Sequence, residues 1–231
     1  MKIPFKNTVL LIFSRSLPEE VRHKPLLHKK GVNRHLYRQL NNHLKEMVLN
    51  SGLPAIWWDS CKQTKNTFAD NFKQAFDFAF AQNYEQVIAI GNDCPMLTCR
   101  DLWLSAQILQ KQNYVFGPAT DGGVYLLGIS RSGYQYQLFH QVRWQTGYVL
   151  NDLKKAIQHT AYDCLQEKSD IDDLADLYCF SKLKGQYHFA LNIYLFLLTL
   201  QFDIQHFNLF PRLFKCSQSI SLRAPPPLLS I

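Results

Sequence analysis

Two neighbouring stretches decide how this chain folds: QVIAIGNDCPMLT at residues 86–98 and FGPATDGGVYLLG at residues 116–128. In the first, an apolar run over 86–91 reads as a buried strand, followed closely by Asp93 and Pro95. Proline has no N–H to give to a ladder, so the strand stops there. In the second, a run over 113–116 ends on Gly117-Pro118, and Asp121-Gly122-Gly123 leads into a further run over 124–129. The link between those runs is too short for a helix, so the spacing predicts one antiparallel insertion. Asp-Gly is also a strong hairpin signal.

Outward from this centre the pattern alternates. Residues 8–13 (TVLLIF) and 54–58 read as strands, as do 161–165. Leu36, Leu40 and Leu44 recur at helical spacing, predicting a helix over 34–49. Phe68, Phe72, Phe76 and Phe80 recur every four residues, predicting a helix over 67–82 whose aromatic stripe is core. Thr98-Cys-Arg-Asp101 has the form of a capping box, with Asp in the usual Glu/Gln place. Further helices are expected over 147–159 and 172–183, and residues 14–32 read as a long basic loop. Strands alternating with helices of this length imply right-handed βαβ units on a mostly parallel sheet with helices on both faces.

Of the 231 residues, 47% are hydrophobic and 19% charged, enough for one α/β domain with a sizeable core. The net charge of +7 is uneven. Residues 1–66 hold twelve Lys/Arg against four Asp/Glu, and residues 67–231 hold thirteen against fourteen. A basic N-terminal lobe attracts phosphates. It lacks the interleaved aromatics of a nucleic-acid stacking surface. The six cysteines form no CxxC pair and read as reduced thiols of a cytoplasmic protein. The apolar stretch FALNIYLFLLTLQF (189–202) is short of the ~20 residues that span a bilayer. No secretory signal is read at the start of the chain. The transferase-like domain is expected over 1–184. Residues 185–231 form an apolar, helical to extended appendage ending in RAPPPLLSI, with extended Pro225–Pro227, and read as a self-association element for a homodimer.

Four constellations could carry chemistry. Asp93 follows a strand at the end where doubly wound sheets bind ligands, and a carboxylate there can hold Mg²⁺ or Mn²⁺. Its plainer role would be to cap a turn. Asp121, Gly122 and Gly123 allow close backbone approach to a substrate, or simply make the hairpin. Asp170 and Asp172 fall on one side of an extended chain and are candidates for a second metal carboxylate. Helix capping by Asp172 or Asp173 is the simpler expectation. Arg15, Arg22, Lys24, Lys29 and Lys30 follow the first strand, where cations meet phosphates. Trp144 is placed either to stack on a base or sugar, or in the core.

The motifs GNDCPMLT, GPATDGGVYLLG, LFHQVRWQT (138–146) and DIDDLADL (170–177), in this order, resemble the selenodomain-associated transferases. These are glycosyltransferase-A-like proteins, similar in turn to the molybdenum-cofactor and phospholactate guanylyltransferases. The resemblance covers roughly residues 8–180. It implies a three-layer, Rossmann-like nucleotide-diphospho-sugar transferase fold, with Asp93 at the metal position and Asp170 or Asp172 near it. It places Asp121–Gly123 on the substrate loop. Two departures stand out. The loop after the first strand reads RSLPEEVRHKPLL, without the family's glycine, and TFADNF (67–72) lacks the family's Glu-Arg pair. The expected function is a metal-dependent nucleotidyl- or glycosyl-transferase, with Asp93 and Asp121 in catalysis. Arg15, Arg22, Lys24, Gly122, Gly123 and Trp144 would face a nucleotide or nucleotide-sugar and a small-molecule acceptor. The alternative is a degenerate descendant serving as a binding module.

Overall fold

Six strands form a single sheet in the computed structural model, which describes residues 5–158 and 160–200. They are β1 (Thr8–Phe13), β2 (Ala55–Trp58), β3 (Gln86–Ile90), β4 (Tyr114–Pro118), β5 (Val124–Ser130) and β6 (Tyr162–Cys164). Their order across the sheet is β2-β1-β3-β5-β4-β6. Five run parallel. β5 alone is antiparallel to both neighbours, pairing Ile90 with Leu126 on one side and Phe116 with Leu127 on the other. The short link after β4 produces this insertion, as the sequence implies.

The helices are α1 (Leu17–His23), α2 (Lys30–Ser51), α3 (Phe68–Ala81), α4 (Cys99–Leu109), α5 (Val149–Ile157), α6 (Leu174–Lys182) and α7 (His188–Thr199). Strand residues alternate between two cores. Val9, Leu11, Val87, Ala89, Tyr114, Phe116, Leu127 and Ile129 meet the α3 aromatics and α5 on one face. Leu10, Ile12, Ile88, Ile90, Val115 and Leu126 meet α2 and α4 residues on the other. Both faces are covered, so β1, β3, β4 and β5 are apolar along most of their length rather than alternating with polar residues. Phe72, Phe76 and Phe80 are buried, which makes the four-residue stripe a packing face.

Helix starts follow local chemistry. Thr98 and Asp101 form a complete capping box at α4, and Asp173 and Asp176 form another at α6. Each such cap is worth about 1 kcal/mol. Thr67 caps α3 by accepting from the Asp70 N–H. Gly52 closes α2 at φ 68°, a left-handed conformation suited to glycine.

The main correction to the sequence reading lies in residues 14–32. The long basic loop contains α1, started by Pro18 and by Glu19 and Glu20 in its first turn, and α2 begins at Lys30. Three short 3-10 turns, Arg131–Gly133, Tyr136–His140 and Leu183–Gly185, add to the expected elements. The remaining boundaries differ by a few residues at most; the helix expected from 147 to 159, for instance, spans Val149–Ile157.

The chain separates into a compact unit Met1–Tyr194 and a second unit from Leu195 onward. No described helix is long and apolar enough to cross a membrane. The expectations for residues 201–231, including an extended Pro225–Pro227, lie outside the described residues.

Candidate active site

The strand order reverses between β1 and β3: one crossover leaves β1 outward to β2, and the next returns to β3. Ligands of doubly wound sheets bind at such a switch point, outside the carboxyl ends of the strands. A cavity of about 710 Å³ opens there. Arg15 enters it from just past β1, Asp93 from just past β3, Asp121 and Gly123 from the β4–β5 link, and Asp170 and Asp172 from past β6.

Backbone ties bring these segments together. The stretch after β6 runs beside the end of β4: Ala119 bridges Lys168 in parallel, and the Thr120 N–H donates to the Lys168 carbonyl (3.0 Å). The Ile171 N–H donates to the Asp93 carbonyl (2.8 Å), which sets Asp170 and Asp172 beside Asp93. Lys168 is itself buried against Asp101 (3.2 Å), anchoring the stretch to the α4 cap.

The glycines of the β4–β5 link serve a close approach. Gly122 has φ 90°, and a Cβ there would run into the Gly147 carbonyl. The Leu150 N–H donates to the Gly122 carbonyl (3.1 Å). Arg143 grips Asp152 through two 2.8 Å hydrogen bonds and holds the other side of this contact. The Asp121 carboxylate accepts from the Gly123 N–H (2.8 Å) and remains exposed at the tip. Gly123 lines the cavity; Gly122 faces the 143–149 loop instead.

Electrostatics are dominated by carboxylates. Glu20, Asp93, Asp121, Asp170 and Asp172 line the cavity, against Arg15 and Lys24. Burial first, then the charges of Asp93, Asp121 and Asp172, push the Asp170 carboxyl up to about 8. Its Oδ1 is buried with no hydrogen-bond partner among the described residues. Burial likewise lifts Glu20, opposed by Arg15 at 3.9 Å. Lys24 sits between carboxylates, with Nζ 2.6 Å from Asp172 Oδ1 and 3.5 Å from Asp93 Oδ2. Burial works against its ammonium, but Asp93 and Asp172 outweigh burial and hold its pKa above the ordinary lysine value.

Not every expected residue joins the site. Arg22 lies outside the cavity lining, on exposed α1 surface, paired with Glu19 at 3.8 Å. Trp144 stands at the cavity edge with its ring in the aromatic cluster. It lines the cavity, and it packs on Phe68 and Phe72 while its indole N–H donates to the Phe139 carbonyl (2.6 Å). Glu20, Gln63, Asn71 and Asn92 also line the cavity and were not singled out by the sequence. They belong to no local motif. Only the helix-start pattern around Pro18 could have pointed to Glu20.

No group of three or more His, Cys, Asp or Glu side chains among the described residues is arranged to hold a metal ion. Magnesium, however, is commonly bound by one or two carboxylates with substrate phosphates completing the shell. Asp93 and the unpartnered oxygen of Asp170 are hard donors of that kind, and they fit such a shared site.

Comparison with known proteins agrees with this architecture. No curated protein matches the chain by sequence. A crystal structure from Desulfovibrio desulfuricans G20, of a protein provisionally assigned as a nucleotide-diphospho-sugar transferase, aligns with a TM-score of 0.71 at 17% identity. The alignment covers 78% of this chain and 89% of that one. The homolog of Mycobacterium tuberculosis Rv0371c from Mycobacterium sp. strain JC1 aligns at 0.44 and 12% identity, over 75% and 94% of the two chains. Rv0371c from Mycobacterium tuberculosis H37Rv aligns at 0.43 and 11%, over 74% and 95%. The fold assignment rests on the first of these. The chain has the nucleotide-diphospho-sugar transferase fold, and its residues 32–146 match the family described as "Uncharacterized protein conserved in bacteria (DUF2064)".

Proposed function

We propose that this chain is a metal-dependent transferase that takes a nucleotide or nucleotide-sugar as donor and passes a nucleotidyl or glycosyl group to a small-molecule acceptor. One observation carries the reading: the cavity at the β1/β3 switch point gathers Arg15, Lys24, Asp93, Asp121 and Asp170 from four separate strand ends. The resemblance of its motifs to those of the selenodomain-associated transferases supports the same class.

Even with Asp170 protonated, Glu20, Asp93, Asp121 and Asp172 outnumber Arg15 and Lys24 and would repel a diphosphate. A bound Mg²⁺ or Mn²⁺, held by Asp93 with Asp170 or Asp172, would neutralise charge building on the leaving phosphate. Arg15 and Lys24 would donate to phosphate oxygens. The face of Trp144, backed by Phe68 and Phe72, would support a base or sugar ring. The Asp121–Gly123 tip would position the acceptor hydroxyl in line with the bond that breaks, with Asp121 accepting its proton. Most of the rate would come from positioning and charge stabilisation. A cytoplasmic setting is part of the same proposal. Self-association through residues 185–231 belongs to the same proposal.

A second reading is favoured by the segment after β1. α1 occupies the place where a glycine-rich loop would cradle phosphates, and Arg22 points elsewhere. On that reading the cavity binds a ligand without turnover. A thermal-shift screen of nucleoside triphosphates and nucleotide-sugars, with and without Mg²⁺ or Mn²⁺, tests binding. A ligand at 100 times its Kd stabilises by about 2.7 kcal/mol. A metal-dependent shift with one donor, followed by product formation that Asp93→Ala abolishes, is the expected result. Binding that never yields product with any acceptor would favour the module. No shift at all from folded protein would sink both readings.

A further inference from the structure

We propose that Lys24 holds the place of the divalent cation in the ligand-free protein, so that metal and polyphosphate enter as a coupled pair. This inference rests on the reading above that the cavity takes a metal and phosphates.

Among the described residues, Lys24 is the one side chain that links carboxylates arriving from two different strand ends: Asp172, past β6, at 2.6 Å and Asp93, past β3, at 3.5 Å. Those two carboxylates are about half exposed, whereas the Lys24 side chain is only 18% exposed. Its backbone is fixed. The Tyr37 hydroxyl donates to the Lys24 carbonyl (2.6 Å), and the Lys24 N–H donates to the Glu20 carbonyl (2.9 Å). The ammonium can therefore change partners only by turning its side chain within the cavity. Among the described residues Arg15 pairs with Glu20 (3.9 Å) and with neither of these two carboxylates.

The charge balance then fixes the order of preference. A metal arriving alone must take Asp93 from Lys24 and leave a mostly buried ammonium with fewer partners. A buried charge without its partner is costly. A phosphate arriving alone meets an excess of carboxylates. When both arrive together, the metal takes Asp93 with Asp170 or Asp172, and Lys24 turns to a phosphate oxygen, so neither charge is stranded. Each ligand must then raise the affinity of the other by the same factor.

The test is Mn²⁺ binding to the full chain, read from the loss of the free-ion EPR signal. In wild type, inorganic pyrophosphate should tighten Mn²⁺ by roughly tenfold or more, within the usual range for coupled sites, after allowing for the Mn²⁺–pyrophosphate complex in solution. Lys24→Met should bind Mn²⁺ alone roughly tenfold more tightly than wild type and lose most of that enhancement. Lys24→Gln repeats the comparison should the Met variant fold poorly, and the wild-type arm needs no variant. Equal Mn²⁺ affinity in wild type and both variants, or no pyrophosphate effect in wild type, would overturn the inference. The Mn²⁺-alone comparison uses no nucleotide, so a tight Lys24→Met site sustains the inference even where no donor is found. Absence of Mn²⁺ binding under every condition would overturn the inference and the metal reading together.

Discussion

The β3-to-β5 segment and the β1-to-β2 segment face each other across one cavity, yet they are built on different principles. In the first, the candidate positions are set by backbone. Asp93 follows the strand end, Gly123 ties down the Asp121 carboxylate, and Gly122 exists to let the 143–149 loop approach. In the second, the candidate side chains are oriented by charge: Arg15 on Glu20, and Lys24 on Asp93 and Asp172. Backbone positions leave a mark in sequence as Gly, Pro and Asp-Gly. Charge pairs between distant segments leave none. The contrast explains why one half of the site reads as a motif and the other as a departure from one.

The comparison breaks most severely at Gly122. Its φ of 90° and the Gly147 carbonyl beside it leave no room for a branched side chain. Gly122→Val should cost about 2 kcal/mol or more in urea denaturation and abolish donor binding together with stability. A variant as stable as wild type would mean that the link is not held as described.

A smaller effect is expected at the other side of that contact. Arg143 holds the Asp152 carboxyl down at about 2, through hydrogen bonds before charge. Asp152→Asn should lower the melting temperature and weaken donor binding without removing it. The group's value is depressed in the fold, so its contribution is fully present above the ordinary carboxyl value. It fades as pH falls from about 4 toward about 2. The stability gap between wild type and Asp152→Asn should therefore close over that range in melts taken at successive pH. A gap that stays constant would show that the hydrogen bonds do not depend on the charge.

The smallest effect sharpens the charge-built half. Arg22 pairs with Glu19 on exposed surface, and such pairs contribute little. Arg22→Ala should leave donor affinity unchanged in titration calorimetry, whereas Arg15→Ala should weaken it. Equal losses would mean that α1 turns Arg22 into the cavity on binding.

Much of the fold was legible. The 86–91 and 124–129 runs, the antiparallel insertion and the Thr98–Asp101 capping box each follow from a local pattern in the chain. The Phe68–Phe80 stripe was legible for the same reason. α1 was missed because a seven-residue helix has too few turns to show periodicity, and its basic residues drew the reading toward a loop. At the site, Asp172 shows the limit most clearly. Sequence left it between capping and ligation; Asp173 takes the cap, which frees the Asp172 carboxylate for Lys24. That division depends on an ammonium supplied from almost 150 residues away along the chain, which no local pattern reports.

The most direct test of the central claim is an anomalous-scattering map of crystals grown with Mn²⁺ and whichever donor the thermal screen identifies. The account predicts a Mn²⁺ peak on Asp93 at the β1/β3 switch point, shared with donor phosphates, and the Lys24 ammonium turned from Asp172 to a phosphate oxygen. A donor bound away from this cavity, or a metal that does not touch Asp93, would contradict it.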